Sequence, residues 1–137
     1  DMYGKAKFYL LHTFSHLIMK ELEFTCGYTT ASLCERLYYS DQMCGVLIYT
    51  AEGAEGSMGG LVWQGQPHLI ERIMKSALHR ALNCSSDPMC WENEDGLNRA
   101  ACFSCAMVSE TSCERYNLGL DRRALVDPEF GFFRDLL

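Results

Sequence analysis

The spacing of apolar positions predicts a first helix from about Lys5 to Thr25. Leu11, Phe14, Ile18 and Leu22 recur at steps of three and four, Leu10 and Leu17 widen the stripe, and Lys20, Glu21 and Glu23 supply a wet edge. Gly27 is the expected stop. A shorter helix is predicted from Ala31 to about Leu37, where Ser32 and Glu35 have the spacing of a capping box and Thr29 or Thr30 offers an equal cap. The continuous apolar run Cys44-Gly-Val-Leu-Ile-Tyr-Thr50 then reads as a strand covered on both faces. A glycine-rich loop follows, with Gly53, Gly56, Gly59 and Gly60. The clearest amphipathic segment is Pro67–Asn83. Leu69, Ile70, Ile73, Met74, Ala77, Leu78, Ala81 and Leu82 form one face of it, and Glu71, Arg72, Lys75, His79 and Arg80 the other. Pro67 suits the first helical position.

Beyond Asn83 the periodicity fades. Cys84–Cys113 reads as an irregular segment ordered by something other than an apolar stripe. Thr111 with Glu114 repeats capping-box spacing and predicts a helix through Leu120. The tail from Arg123 carries Phe130, Phe132 and Phe133 and ends in Leu136-Leu137, so it is expected to dock on the domain or on a neighbour. The fold class expected is α+β, mostly helical, with a small buried β element and a cysteine-rich loop.

Composition narrows the class. Of the 137 residues, 48% are hydrophobic and 22% charged, which excludes disorder as a description of the chain. The net charge of −6 argues against a domain that grips nucleic-acid phosphates unaided. No apolar run approaches the ~20 residues that span a bilayer, so no membrane partner is expected. There is no signal-peptide pattern, and Asp1 in place of an initiator Met suggests a fragment or a processed chain.

Eight cysteines stand at positions 26, 34, 44, 84, 90, 102, 105 and 113, and five of them fall within Cys84–Cys113. An extracellular disulfide scaffold suits this long, hydrophobic chain poorly. A reducing, cytoplasmic compartment with one zinc and three ordinary thiols suits it better. Cys102-Phe-Ser-Cys105 offers two thiolates on one tight turn, with Cys84-Ser-Ser-Asp-Pro-Met-Cys90 before it and Cys113 after it. Five sulfurs for four positions leave one spare. The Pro-containing turn before Cys90 can aim its thiol, so the expected ligands are Cys90, Cys102, Cys105 and Cys113, with Cys84 as the alternative.

Three other features carry weaker signals. His12 and His16 lie four apart on one helix face, a spacing that suits metal ligands, but no third ligand is evident from the sequence and a core role competes. The loop Glu52–Gly60 sits where anions often bind, yet Glu52 and Glu55 oppose one. Arg72, Lys75 and Arg80, with His79, form a cationic helix face that can touch nucleic acid, joined by Arg99, Arg115, Arg122 and Arg123. A solvated helix face is the competing reading. No nucleophile triad and no nucleotide-hydrolysis motif is recognisable, so any ATPase activity is expected in another domain or partner.

The combined order of these motifs is similar to one known family. Leu11-His-Thr-Phe-Ser-His16, Gly45-Val-Leu-Ile-Tyr-Thr50, Gly59-Gly-Leu61, Cys84–Cys90, Ala101-Cys-Phe-Ser-Cys105, Glu110-Thr-Ser-Cys-Glu114 and Leu120-Asp-Arg122 resemble the MrfA-type zinc-binding domain. The resemblance implies one structural zinc held by four cysteines, which by position are Cys90, Cys102, Cys105 and Cys113. It also implies a setting at the C-terminus of superfamily 2 DNA-repair helicases, or in anti-phage systems such as DISARM. There a protein carrying the domain pairs with a separate helicase.

The function expected is therefore a non-catalytic accessory domain spanning residues 1–137, the C-terminal fragment of a larger protein. It supports DNA engagement or partner docking by a helicase domain or subunit, with DNA reached through the assembly. Two rivals stand beside it. One is a hydrolytic domain using His12 and His16 near the glycine loop. The other is an interaction module that never touches nucleic acid.

Overall fold

A computed structural model of the chain describes residues 5–51 and 60–137. Helix α1 (Ala6–Cys26) is the spine, and it ends where Gly27 takes φ 77°, a left-handed conformation that glycine adopts without strain. Its apolar stripe is wide enough to be covered on several sides at once. Helix α3 (Pro67–Ala81), the two strands and the C-terminal segment all touch it. Phe8, Leu17, Ile18, Met19 and Leu22 are buried along it, together with polar His12, Thr13, Ser15, His16 and Glu21. Glu21 therefore does not belong to the wet edge. It is 1% exposed and accepts from Arg80 Nε at 2.7 Å.

Helix α3 forms as its pattern predicts, with Pro67 in the first turn and Ile73, Ala77, Leu78 and Ala81 facing α1. Between them in the sequence comes an antiparallel hairpin of β1 (Leu33–Tyr38) and β2 (Gly45–Thr50), in register from Leu33 opposite Thr50 to Tyr38 opposite Gly45. A short helix α2 (Leu61–Gln64) leads into α3.

The predicted helix over Ala31–Leu37 is instead a 3-10 turn, Thr30–Ser32, followed by β1. Leu33, Glu35 and Leu37 alternate inward with period two, and tertiary burial overrides the local capping signal. Ser32 Oγ donates to Thr29 O, and Glu35 turns into the core. β2 falls where the apolar run predicts but is covered on one face only, with Leu47 and Tyr49 exposed. The glycine-rich loop at 52–59 lies outside the described residues.

After α3 the chain is largely irregular, with helix α4 (Met89–Glu92) and a 3-10 turn at Glu110–Ser112. No helix runs from Thr111 to Leu120. Glu114 reaches away to accept the Leu37 N–H at 2.8 Å, and Tyr116 and Asn117 adopt positive φ, which no helix tolerates.

The tail docks, as its apolar residues predict. Helix α5 (Arg123–Val126) buries Leu125 and Val126, and Phe133 stacks on Phe14 of α1 at 5.6 Å. Phe130, Phe132 and Leu136 stay exposed. The turn between α5 and Phe132 closes tightly on Gly131, where an added Cβ meets Asp127 N at 2.5 Å, Asp127 O at 2.6 Å and Leu125 O at 2.8 Å. These are backbone atoms and cannot swing aside. Gly131→Ala is therefore expected to destabilise the fold by ~1–3 kcal/mol, read as a lower urea midpoint with an unchanged slope.

Candidate metal centre

The turn after α3 is built around Asp87. Its Oδ2 accepts the Cys84 N–H at 2.9 Å and its Oδ1 the Trp91 N–H at 3.1 Å. One carboxylate thus shapes the segment that carries both Cys84 and Cys90, and the first turn of α4 presents the Cys90 sulfur. The second pair comes from a tight turn in which Cys105, Ala106 and Met107 all donate N–H to Cys102 O, while the Cys102 N–H points at Cys105 Sγ at 3.3 Å.

The two turns bring four sulfurs together. Sγ–Sγ separations are 3.5 Å for Cys84–Cys102, 3.6 Å for Cys90–Cys105 and 3.8 Å for Cys102–Cys105, and all four lie within 4.8 Å of one another. A disulfide requires ~2.05 Å, and none is formed. A tetrahedral zinc with ~2.3 Å bonds sets its sulfurs ~3.8 Å apart, so the spacing fits that ion. These four cysteines are positioned to hold one metal ion.

The protonation chemistry fits as well. Burial pushes the Cys90 thiol up to about 11 and raises Cys105 further. Cys102 goes the other way, to about 7. Burial opposes its ionisation, but contacts from Cys84, the Ser104 backbone, Cys90 and Cys105 outweigh it. Four partly buried thiols cannot all ionise side by side unless a cation offsets the charge, which a dication does.

Arg122 fastens this centre to the core. Its guanidinium is fully buried and donates to Asp87 Oδ1 (2.7 Å), Asp87 Oδ2 (3.3 Å), Ala81 O (2.9 Å) and Ala100 O (3.1 Å). It also lies 3.7 Å from Cys90 Sγ. Burial works against the Asp87 carboxylate, yet Arg122 and the two backbone donors outweigh it and hold its pKa below the usual range. Arg122 is thus a structural ion-pair partner and not part of a nucleic-acid face.

The structure corrects the choice of the spare sulfur. Cys113 is not with the other cysteines. It follows the Glu110–Ser112 turn and lies 3.1 Å from His12 Nε2, in a separate buried cluster with His16 and Glu35. Cys84 takes the fourth place. Sequence spacing cannot choose between them, because the choice depends on which segment crosses α1.

The cationic face of α3 is exposed, but Lys75 and Arg80 have acidic neighbours. Lys75 pairs with Glu71 at 2.7 Å, and Arg80 pairs with Glu21 while its guanidinium lies 4.1 Å over the Phe24 ring. Arg72 is exposed on the same helix. Arg115 donates to Tyr39 Oη, and Arg123 pairs with Glu94 and Asp121.

A small α+β fold with four convergent cysteines defines a zinc-binding domain, and comparison with known proteins gives the family. Residues 14–106 match the profile of the MrfA Zn-binding domain, so the chain belongs to that family. The matched stretch contains all four clustered sulfurs and ends before Cys113. Among individual proteins, the chain is similar to the DISARM protein DrmB of Bacillus paralicheniformis, at 44% identity over 93% of this chain. The chain spans 24% of the length of that relative. No helix among the described residues is long and apolar enough to cross a membrane.

Proposed function

We propose that the chain is a structural zinc-binding accessory domain of a longer, cytoplasmic anti-phage defence protein, and that it serves as a rigid docking element for a helicase domain or subunit. The observation that carries this reading is the way the four-sulfur centre, through Asp87 and Arg122, ties the end of α3 to the segment at Ala100. A metal there stiffens a stretch that has little regular structure of its own. Exposed Phe130, Phe132 and Leu136 supply apolar surface of the kind that partners cover.

DNA is reached through the assembly in this reading. The net charge is −6, and Lys75 and Arg80 are each paired with a carboxylate. The domain performs no chemistry itself. His12 and His16 are 0% exposed, which argues against a hydrolytic site that admits substrate.

The test uses the full-length protein and the helicase subunit of its own system, with association measured by sedimentation. Wild type is expected to bind, and Cys102→Ser with Cys105→Ser to lose binding at least tenfold. Unchanged affinity in the double variant contradicts the proposal. A labelled duplex titrated against the present chain is expected to bind weakly. Tight binding with a steep salt slope would instead assign the DNA contact to this domain.

A further inference from the structure

The cluster that captures Cys113 has the makings of a metal site in its own right. His12 Nε2 lies 3.0 Å from Glu35 Oε1 and 3.1 Å from Cys113 Sγ, and His16 Nε2 lies 3.1 Å from the same Glu35 oxygen. The four ligand atoms fall within 4.8 Å of one another, and all four residues are buried. They come from α1, β1 and the segment after the Glu110–Ser112 turn, so three distant stretches of chain converge on one point.

The hydrogen bonds behind the histidines fix which nitrogen faces inward. His12 Nδ1 lies 3.2 Å from Gly119 O, and His16 Nδ1 lies 2.9 Å from Ala106 O. A carbonyl only accepts, so each Nδ1 carries a proton and donates it. Each Nε2 of a neutral imidazole then presents a lone pair to the cluster, the arrangement that outer partners impose on metal-bound histidines. The Cys113 sulfur in turn accepts from the Arg115 N–H (3.3 Å) and the Asn117 N–H (3.2 Å), contacts that suit a thiolate.

What faces the centre is therefore a surplus of acceptors. Two ring nitrogens, a carboxylate and a sulfur all turn toward one point. Glu35 Oε2 is buried and has no hydrogen-bond partner. A dication resolves all of this together, since one carboxylate, one thiolate and two neutral imidazoles around it sum to zero charge. That is the condition under which a buried ionic group is tolerated.

We propose that His12, His16, Glu35 and Cys113 bind a second zinc ion, separate from the one at the four cysteines. The mixed nitrogen, oxygen and sulfur set suits zinc, and tetrahedral bonds of ~2.0–2.3 Å place such ligands ~3.4–3.6 Å apart. The separations of 3.0 and 3.1 Å thus need to open by a few tenths of an ångström. Four protein ligands leave no open position, so the ion is structural and pins β1 and the Cys113 segment to α1. Because Ala106 directly follows Cys105, the two centres are joined through one stretch of backbone.

Native mass spectrometry of the full chain, purified without chelator or added metal, tests this. Wild type is expected to carry two zinc ions per chain. Glu35→Gln, which keeps shape and offers a donor to the histidines, is expected to carry one, and Cys102→Ser to lose the other. A cobalt(II) titration of wild type guards against a variant that fails to fold, with two successive tetrahedral spectra expected. One zinc per wild-type chain that survives Glu35→Gln, with a second cobalt equivalent showing only the hydrated-ion spectrum, overturns the proposal. A single zinc that is lost in Glu35→Gln and kept in Cys102→Ser would support this site and sink the four-cysteine one.

Discussion

Cys102→Ser is expected to cost the protein its four-sulfur zinc and, with it, the ordered structure from Cys84 to Ala106. That stretch contributes Cys90, Ala100, Ala101 and Ala106 to the buried set and contains one single-turn helix. Its own apolar burial is too small to offset the ~1–2 kcal/mol per residue that ordering a backbone costs. Structural zinc supplies ~10–16 kcal/mol in small metal-dependent domains, as much as or more than the ~5–15 kcal/mol net stability of a typical protein. Hydrogen exchange resolves the effect by position. Amides at Cys90, Trp91, Cys105 and Ala106 are expected to lose protection in the variant, and in wild type treated with a chelator. The middle of α1 is expected to retain more, because Leu17, Met19 and Ile73 bury there without the metal's help. Zinc affinity should also fall as pH drops, because protons compete for thiols such as Cys90, which burial holds up to about 11.

Arg122→Ala is the second large effect. The guanidinium is 0% exposed and serves both Asp87 oxygens and two backbone carbonyls, while its face lies 5.1 Å from the Trp91 ring. Removing it leaves a partly buried carboxylate and two buried acceptors without their donor. Breaking a buried pair in this way costs ~3–5 kcal/mol. At ~2–4 °C per kcal/mol for a domain near this size, the melting midpoint should fall by ~10 °C. Arg122→Lys is not expected to restore it, since a single ammonium cannot span the forked geometry that the four acceptors require. A urea midpoint for Arg122→Ala equal to wild type would show that Asp87 holds its turn unaided.

The elements legible in the sequence are those whose burial follows from local periodicity. Helices α1 and α3 carry long apolar stripes, and Gly27 and Pro67 mark their ends. β1 was hidden because Glu35, read as half of a capping box, is the inward polar residue of a period-two strand, and its partners His12 and His16 lie on another element. An alternation count over Leu33, Glu35 and Leu37 is the signal that finds it. Glu114 misled in the same way, since its carboxylate serves a backbone N–H of β1 and caps no helix.

The zinc-binding character was visible in Cys102-Phe-Ser-Cys105, because a two-residue spacing closes a turn whatever surrounds it. The other ligands are set by tertiary crossing. Cys113 passes beside His12, while Cys84 is drawn to Cys102 by the turn that Asp87 and Arg122 hold. No spacing rule encodes that division.

The most direct test of the account is residue-resolved alkylation of the zinc-loaded chain under native conditions, before and after chelation. Cys84, Cys90, Cys102 and Cys105 are expected to be protected together and to become reactive together on chelation, while exposed Cys44 reacts throughout. Cys84 alkylated as fast as Cys44 with zinc in place, or disulfides among the four, would contradict it.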